Sequence, residues 1–259
     1  MLELERIANH IGDIGGVCND AAFSIMLANC AVLRERVLRT AATVFGHRLM
    51  MDCVVPGGVA RDVDSLKPIA KLIDLIARQF PALVAIYEDT ASLQDRMVRT
   101  GMVSHALVAK FGAGGYVGRA SGRSFDTRKI LPVSPYDTLK FEVPLLERGD
   151  VDARVRIRIL EIEQSLILLR QLLDGLPGGA VRSDIPQQAG EGAAMVEGFR
   201  GDIFAWVRLN EDGSVARCHL RDPSWFQWPL LEAAIDGNIV ADFPLCNKSF
   251  NCSYAGHDL

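Results

Sequence analysis

The chain has 259 residues, 49% hydrophobic and 23% charged, with a formal net charge of −4, which suits a globular protein of one or two domains with a sizeable core. The balance of charge, with no basic stripe carrying interleaved aromatics, argues against a nucleic-acid partner. No run reaches the ~18 apolar residues of a spanning helix and no basic-then-apolar opening resembles a signal peptide, so the expectation is a cytoplasmic chain, or one held on a membrane complex through partner subunits.

In chain order, Leu2, Leu4, Ile7, Ile11 and Ile14 include three- and four-residue spacings and predict one face of a first helix. No Ser, Thr or Asp caps its start, which leads to the expectation of a longer protein with more chain ahead of Met1. On that view the five residues form a bared apolar patch, and the isolated fragment is expected to self-associate as a symmetric homo-oligomer through its first helices. Residues 21–46 continue as helix to Gly46, so that 2–46 is expected to be helical throughout. "VVPGGV" (54–59) predicts a turn. Residues 65–100 are helical, with Pro68 suited to a first turn and Pro81 marking a break or kink.

"FGAGGYVGRASGRSFDTRK" (111–129) is expected to be a Gly- and Arg-rich loop, and 131–150 an extended, Pro-punctuated segment. Residues 151–174 predict a strong core helix, opened by Asp150 and Asp152, which suit its dipole, and closed by "GLPGG". A polar linker (180–192) leads to a hairpin across 196–221 around "NEDG", a short helix at 226–236 and a tail without periodicity. The predicted fold is mainly α, α+β in class, with a helical core at 1–175 and a linker, hairpin and tail at 176–259.

Six cysteines stand at 18, 30, 53, 218, 246 and 252, with no Cys-x-x-Cys pair, a pattern of free, mostly buried thiols. Cys246, Cys252 and His257 are a weak zinc alternative, since their spacing is loose and no second close pair completes a tetrahedral set. Cys218 and His219 point to opposite faces of a strand and cannot chelate together.

Several blocks stand in one collinear order: "LELERIANHIGDIG", "FGHRLMMD", "VPGGV", "GRASGRSFDTRK", "PYDTLKFEVP", "ERGDVDARVRIRILEIEQS", "EGFRGDIFAW" and "RDPSWFQWPLLEAAIDGNIVADFPL". Together they resemble the large subunits of nickel-iron hydrogenases and the D-type subunit of respiratory complex I, nearest the membrane-bound formate-hydrogenlyase type, over almost the whole chain. The resemblance implies a helical core with a smaller α+β part. It also implies an oxidoreductase complex in which the partners are an iron-sulfur small subunit, a C-type subunit or domain and membrane-arm subunits. Where hydrogenases of this kind place two nickel-binding cysteines, this chain has Ser253 and Gly256, so no cofactor is expected on the chain itself and the iron-sulfur cluster is expected in the partner. The alternative is part of an active nickel-iron hydrogenase or an NADH:quinone oxidoreductase D-type subunit.

The resemblance also assigns candidate residues. Asp20 matches an acid of the inner chamber, suited to proton relay or quinone binding, and His10, about 15 Å earlier along a continuous helix, matches a family histidine. Arg200 matches the arginine that sets a fixed positive charge over the metal centre. Arg119, Ser121, Asp126 and Arg128 match positions on the Gly-rich loop, expected either to brace that loop through ion pairs or to face the partner subunit and its cluster.

Overall fold

The computed structural model describes residues 1–258. Helix α1 (Leu2–Asp20) carries Glu3 and Glu5 in its first turn, favourably placed on the helix dipole, and no side chain caps it. The chain then breaks at Ala21–Phe23, where Ala22 takes φ 64°, and α2 (Ser24–Phe45) packs back against α1 until Gly46, at φ 80°, ends it in the left-handed cap that favours glycine. The predicted helix 2–46 is therefore two helices in a hairpin.

A two-stranded ribbon, β1 (Val54–Val55) and β2 (Gly58–Val59), precedes α3 (Lys67–Asp89) and α4 (Ala91–Met97). Pro81 does not break α3. Both Pro81 and Ala77, whose carbonyl loses its donor, lie on the exposed side, where water can satisfy the carbonyl.

The stretch 111–129 holds more structure than its composition suggests. After α5 (His105–Phe111) come α6 (Gly115–Ala120) and α7 (Thr127–Ile130). Gly114, Gly115 and Gly118 of this stretch serve close approach. Gly115 sits at φ 63° with the Arg200 carbonyl so near that a Cβ would meet it at 2.0 Å.

Helix α8 (Val151–Asp174) matches its predicted bounds and is capped by Asp150, whose Oδ1 accepts the Ala153 amide at 2.7 Å. The late sheet has three strands: β3 (Gly190–Gly198), β4 (Gly201–Leu209) and β5 (Val215–Arg221), antiparallel in that order. Gly198 pairs Gly201 across a two-residue turn, so the predicted hairpin gains an earlier strand from the end of the polar linker. Helices α9 (Ser224–Ala234), α10 (Phe243–Phe250) and α11 (Tyr254–His257) complete the chain, ordering the tail that showed no periodicity.

Two apolar cores share α8. Val151, Val155, Ile159, Ile162 and Leu166 face α1, α2 and α3, while Ala153 and Ile157 face α5, α6, α9 and α10. The expected bared patch on α1 does not exist. Leu4, Ile7, Ile11 and Ile14 are at most 2% exposed and Leu2 is half-buried, because α2 and α8 of the same chain cover that face. Homo-oligomerisation through it has no structural basis.

Candidate functional site

Beneath the three-stranded sheet, α1, α6, α7, α8 and β3 converge on a buried cluster of charges. Helix α8 supplies its centre. Arg154, Arg158, Glu161 and Ser165 are spaced four, three and four apart, which aligns them on one stripe, and all are at most 1% exposed. Glu161 Oε1 accepts from Arg119 Nε at 2.8 Å and Nη2 at 2.6 Å, while Oε2 accepts from Arg6 Nη1 at 3.2 Å and lies 2.7 Å from His10 Nε2. Burial works against the ionised carboxyl, but Arg119, His10 and Arg6 hold it well below the usual glutamate range.

Glu3 accepts from Arg128 Nη1 at 3.1 Å, from the Tyr136 hydroxyl at 2.7 Å and from the Ser165 hydroxyl at 2.7 Å. Burial pushes its carboxyl up, yet Arg6 and Arg128 with the two hydroxyls outweigh it and hold it at about 2. Asp126 caps α7 and takes Arg128 in a two-pronged pair at 3.0 and 2.7 Å, the strong form of this contact. Glu197 accepts from Arg119 Nη1 at 2.9 Å and from the Thr127 amide at 3.0 Å. Arg6 reaches over to the carbonyls of Glu197 and Gly198 at 2.7 and 3.1 Å, fastening β3 to α1.

Arg119, Ser121, Asp126 and Arg128 thus stand inside the chain, at 0%, 1%, 1% and 4% exposure, and the loop-facing-a-partner expectation for them is corrected. Their charges are consumed by α1, α8 and β3. Of the loop's cations, Arg123 lies over the Phe125 ring at 4.5 Å and Lys129 over Phe141 at 3.9 Å, nearer the surface. His10 is a hydrogen-bonded core residue, its imidazole pushed down by burial although Glu161 raises it. Asp20 ends α1 half-buried, accepting from Asn19 Nδ2 at 3.4 Å, one continuous helix away from His10. The two are not brought together.

The C-terminal tail is a second site. Ser253 caps α11, its Oγ accepting the Gly256 amide at 2.9 Å, while its own amide donates to Ser224 Oγ at 2.9 Å. Gly256 is buried against Asp222, whose Cγ a Cβ would meet at 2.6 Å, and its carbonyl accepts from Trp225 Nε1 at 2.7 Å. Cys252 is buried and its thiol is pushed up to about 12 by that burial. Cys246 lies in the core, and His257 packs edge-on to Trp228 from the exposed side. Among the described residues no three His, Cys, Asp or Glu side chains are grouped to hold a metal ion, so Cys246, Cys252 and His257 make no zinc site. Nor does the tail fit nickel held between two thiolates. A hydroxyl spent on a helix cap and a glycine without room for a side chain stand where the sulfurs would be. Arg200 donates from Nε to the Asn251 carbonyl at 2.6 Å and stacks on Phe199 at 4.5 Å, bracing the β3–β4 turn against the end of α10.

The residues that do most here escaped the sequence reading. Glu3, Arg6, Asp13, Arg154, Arg158, Glu161 and Glu197 are buried and charged. Asn251 donates to Asp13 at 2.9 Å, and Arg158 and Arg154 bond Ser249 at 2.7 and 3.0 Å, tying the tail to α1 and α8. The spacing four, three and four of Arg154, Arg158, Glu161 and Ser165 is visible within "DARVRIRILEIEQS", but it is masked there by Asp152, Arg156, Glu163 and Gln164, polar residues of the same helix outside that stripe.

This architecture has known counterparts. Residues 19–189 and 180–258 match the family described as the respiratory-chain NADH dehydrogenase 49 Kd subunit. The chain belongs to that family. It is 30% identical over 254 residues to the carbon monoxide-induced hydrogenase of Rhodospirillum rubrum, covering 96% of this chain and 70% of that one. Against a D-type NADH-quinone oxidoreductase subunit of Herpetosiphon aurantiacus it is 31% identical, covering 93% and 68%. Formate hydrogenlyase subunit 5 of Escherichia coli is 29% identical across 100% of this chain, which spans 46% of that longer protein. Among solved structures, a chain of the membrane-bound sulfane sulfur reductase, an archaeal respiratory membrane complex, superposes with a TM-score of 0.92 at 28% identity over 100% of this chain and 73% of its own. The mainly helical 49 Kd-type fold with a small late sheet is therefore established, as the sequence blocks implied. Among the described residues of this family member, no helix is long and apolar enough to cross a membrane.

Proposed function

We propose that this 49 Kd-family chain is the large-subunit component of a membrane-associated redox complex, without a nickel centre of its own, coupling an iron-sulfur partner to an ion-translocating membrane arm. The observation that carries the absence of nickel is the tail, where Ser253 works as a cap and Gly256 is pressed on Asp222. The redox complex itself is supported by the family match and by the likeness of the whole of this chain to 73% of a chain of a respiratory membrane complex. On this reading the chain binds no cofactor and the iron-sulfur cluster sits in a small subunit. A C-type subunit or domain adjoins it, and the assembly holds the chain on the cytoplasmic face of the membrane. The isolated chain is inactive.

The test is affinity purification of the tagged chain from its native membranes, with metal analysis and electron paramagnetic resonance. The expected result is co-purified membrane subunits, an iron-sulfur signal and nickel far below one per large chain. One tightly held nickel per large chain would establish the rival, an active hydrogenase. Recovery of the chain without any iron-sulfur partner would overturn the redox assignment altogether.

A further inference from the structure

The segment between α8 and β3 does more than connect them. The ribbon β1–β2 pairs only Val54 with Val59 and Val55 with Gly58, and two strands this short do not hold together in water unaided. Residues 181–183 supply a third strand. The Val59 amide donates to the Val181 carbonyl at 3.1 Å, the Ser183 amide donates to the Gly57 carbonyl at 3.0 Å, and Gly58 stands opposite Arg182 in an antiparallel bridge. Two glycines make this approach possible. A Cβ on Gly57 would meet the Ser183 carbonyl oxygen at 2.2 Å, and a Cβ on Gly58 the Val181 oxygen at 2.2 Å. Both lie at positive φ, 92° and 153°, where glycine is favoured.

The segment has few other holds on the molecule. Every residue from Asp174 to Gly190 is exposed, so no buried side chain anchors it. Ile185 lies beside Gly57 and Gln187 beside Gly213. At the α8 end, Gly178 and Gly179 have open space around them, and Gly179 sits at φ 123°. That pair can absorb a change of direction as a hinge does. A segment held by exposed backbone bonds next to such a hinge opens more readily than the packed helices beneath it. It also borders a cleft of about 600 Å³. The segment contributes Leu176, Pro177 and Val181 to the lining, and the body contributes Phe45, Val63 and Leu66 together with Cys53. The half-buried Cys53 thiol donates to the Phe45 and Met51 carbonyls at 3.6 and 3.5 Å.

We propose that residues 174–190 form a hinged strap, latched to the β1–β2 ribbon by the backbone bonds between 57–59 and 181–183, and that its release about Gly178 and Gly179 opens the cleft and frees the ribbon. The latch joins the end of α8 and the start of the late sheet to the loop that carries Leu49 and Met51, both more than half exposed. Closed, the strap restricts access to the Cys53 thiol. Open, it leaves the Val59 amide and the Gly57 carbonyl on a free strand edge. The device stands independently of any redox role.

The test uses the full chain carrying Cys218→Ser, which removes the exposed thiol and leaves the half-buried Cys53 as the most accessible one. Its reaction with a maleimide is followed by mass spectrometry. Ser183→Pro removes one latch donor without touching the ribbon. It should speed Cys53 labelling roughly three- to tenfold, as one lost hydrogen bond allows, with helix content by circular dichroism unchanged. Gly178→Ala has room for its methyl group and narrows the conformations open to the released strap, so it should slow labelling roughly two- to fivefold. In the parent chain, the Val59 and Ser183 amides should show equal protection from deuterium exchange, well below that of the middle of α8. This last measurement decides the matter if Ser183→Pro does not fold. The proposal fails if folded Ser183→Pro labels no faster than its parent, if Gly178→Ala labels no slower, or if the two amides are as protected as those of α8.

Discussion

Around Glu161 two guanidiniums and an imidazole converge on one carboxylate in the interior, whereas around Ser253 and Gly256 the contacts are a helix cap, a backbone hydrogen bond and close packing. Both regions are tight, but for different reasons. In the cluster, each charge is tolerable only because its partners are present, so removing one member exposes the others to the full cost of burial. In the tail, fit is a matter of shape, and substitution costs what a neighbour must move. The first region is fragile towards loss of a group, the second towards gain of one.

The strongest attack on that contrast is Glu161→Ala. It leaves His10 without its partner and takes a carboxylate from Arg6 and Arg119, all three at 0% exposure, and should cost about 3–5 kcal/mol, read as a fall in the urea midpoint. Glu35→Ala, which removes a surface pair with Arg39 and Arg48, should leave the midpoint where it was. Equal effects from the two would erase the distinction between cluster and surface.

Acid should find the cluster next. Glu3 is held at about 2 in the fold against 4.5 ordinarily. A depressed carboxyl contributes stability that is present above the unfolded value and disappears as pH falls through the folded one. For Glu3 the contribution is about 3 kcal/mol, lost between pH 4.5 and about 2, and Glu3→Gln should flatten that part of the stability profile. An unchanged profile would mean that Arg6 and Arg128 do not act on this carboxyl.

Smaller effects test the tail. Gly256→Cys drives a Cβ into Asp222 and should cost ~1–3 kcal/mol of overpacking without conferring retained nickel after dialysis, even combined with Ser253→Cys. A stable double variant holding one nickel per chain would show that the tail kept more of a metal site than its packing implies. Last, Ser253→Ala removes only the α11 cap, for about 1 kcal/mol, and a loss several times larger in thermal unfolding would show that the hydroxyl does more than cap.

The main helices could be read from periodicity, and α8 ended where "GLPGG" said it would. What could not be read was long-range. The α1–α2 break at Ala22 needs no glycine or proline and left no mark in composition. Gly115 and its neighbours looked like a loosening of the chain. They are there because α6 runs against the start of β4, a fact about residues some 85 positions later. Arg119 and Arg128 were visible as charges, but their partners Glu3, Glu161 and Glu197 lie on three other elements, and single-sequence patterns carry no such pairing. Ser253 and Gly256 were legible only through the family blocks; why each is comfortable there required the coordinates of Ser224 and Asp222.

The bonds from Arg6 to the carbonyls of Glu197 and Gly198 join positions 191 and 192 residues apart, and the bond from Asn251 to Asp13 spans 238. During synthesis at ~5–20 residues per second, the first helix therefore waits roughly 10–40 s before the strand that satisfies Arg6 leaves the ribosome. During that interval the partners of α1 arrive in turn: α2 for its apolar face, then Arg128 for Glu3 and Glu161 for Arg6, with the β3 carbonyls and Asn251 last. Folding can begin with the α1–α2 hairpin, while the bonds that tie α1 to β3 and to Asn251 form only once those late segments are made.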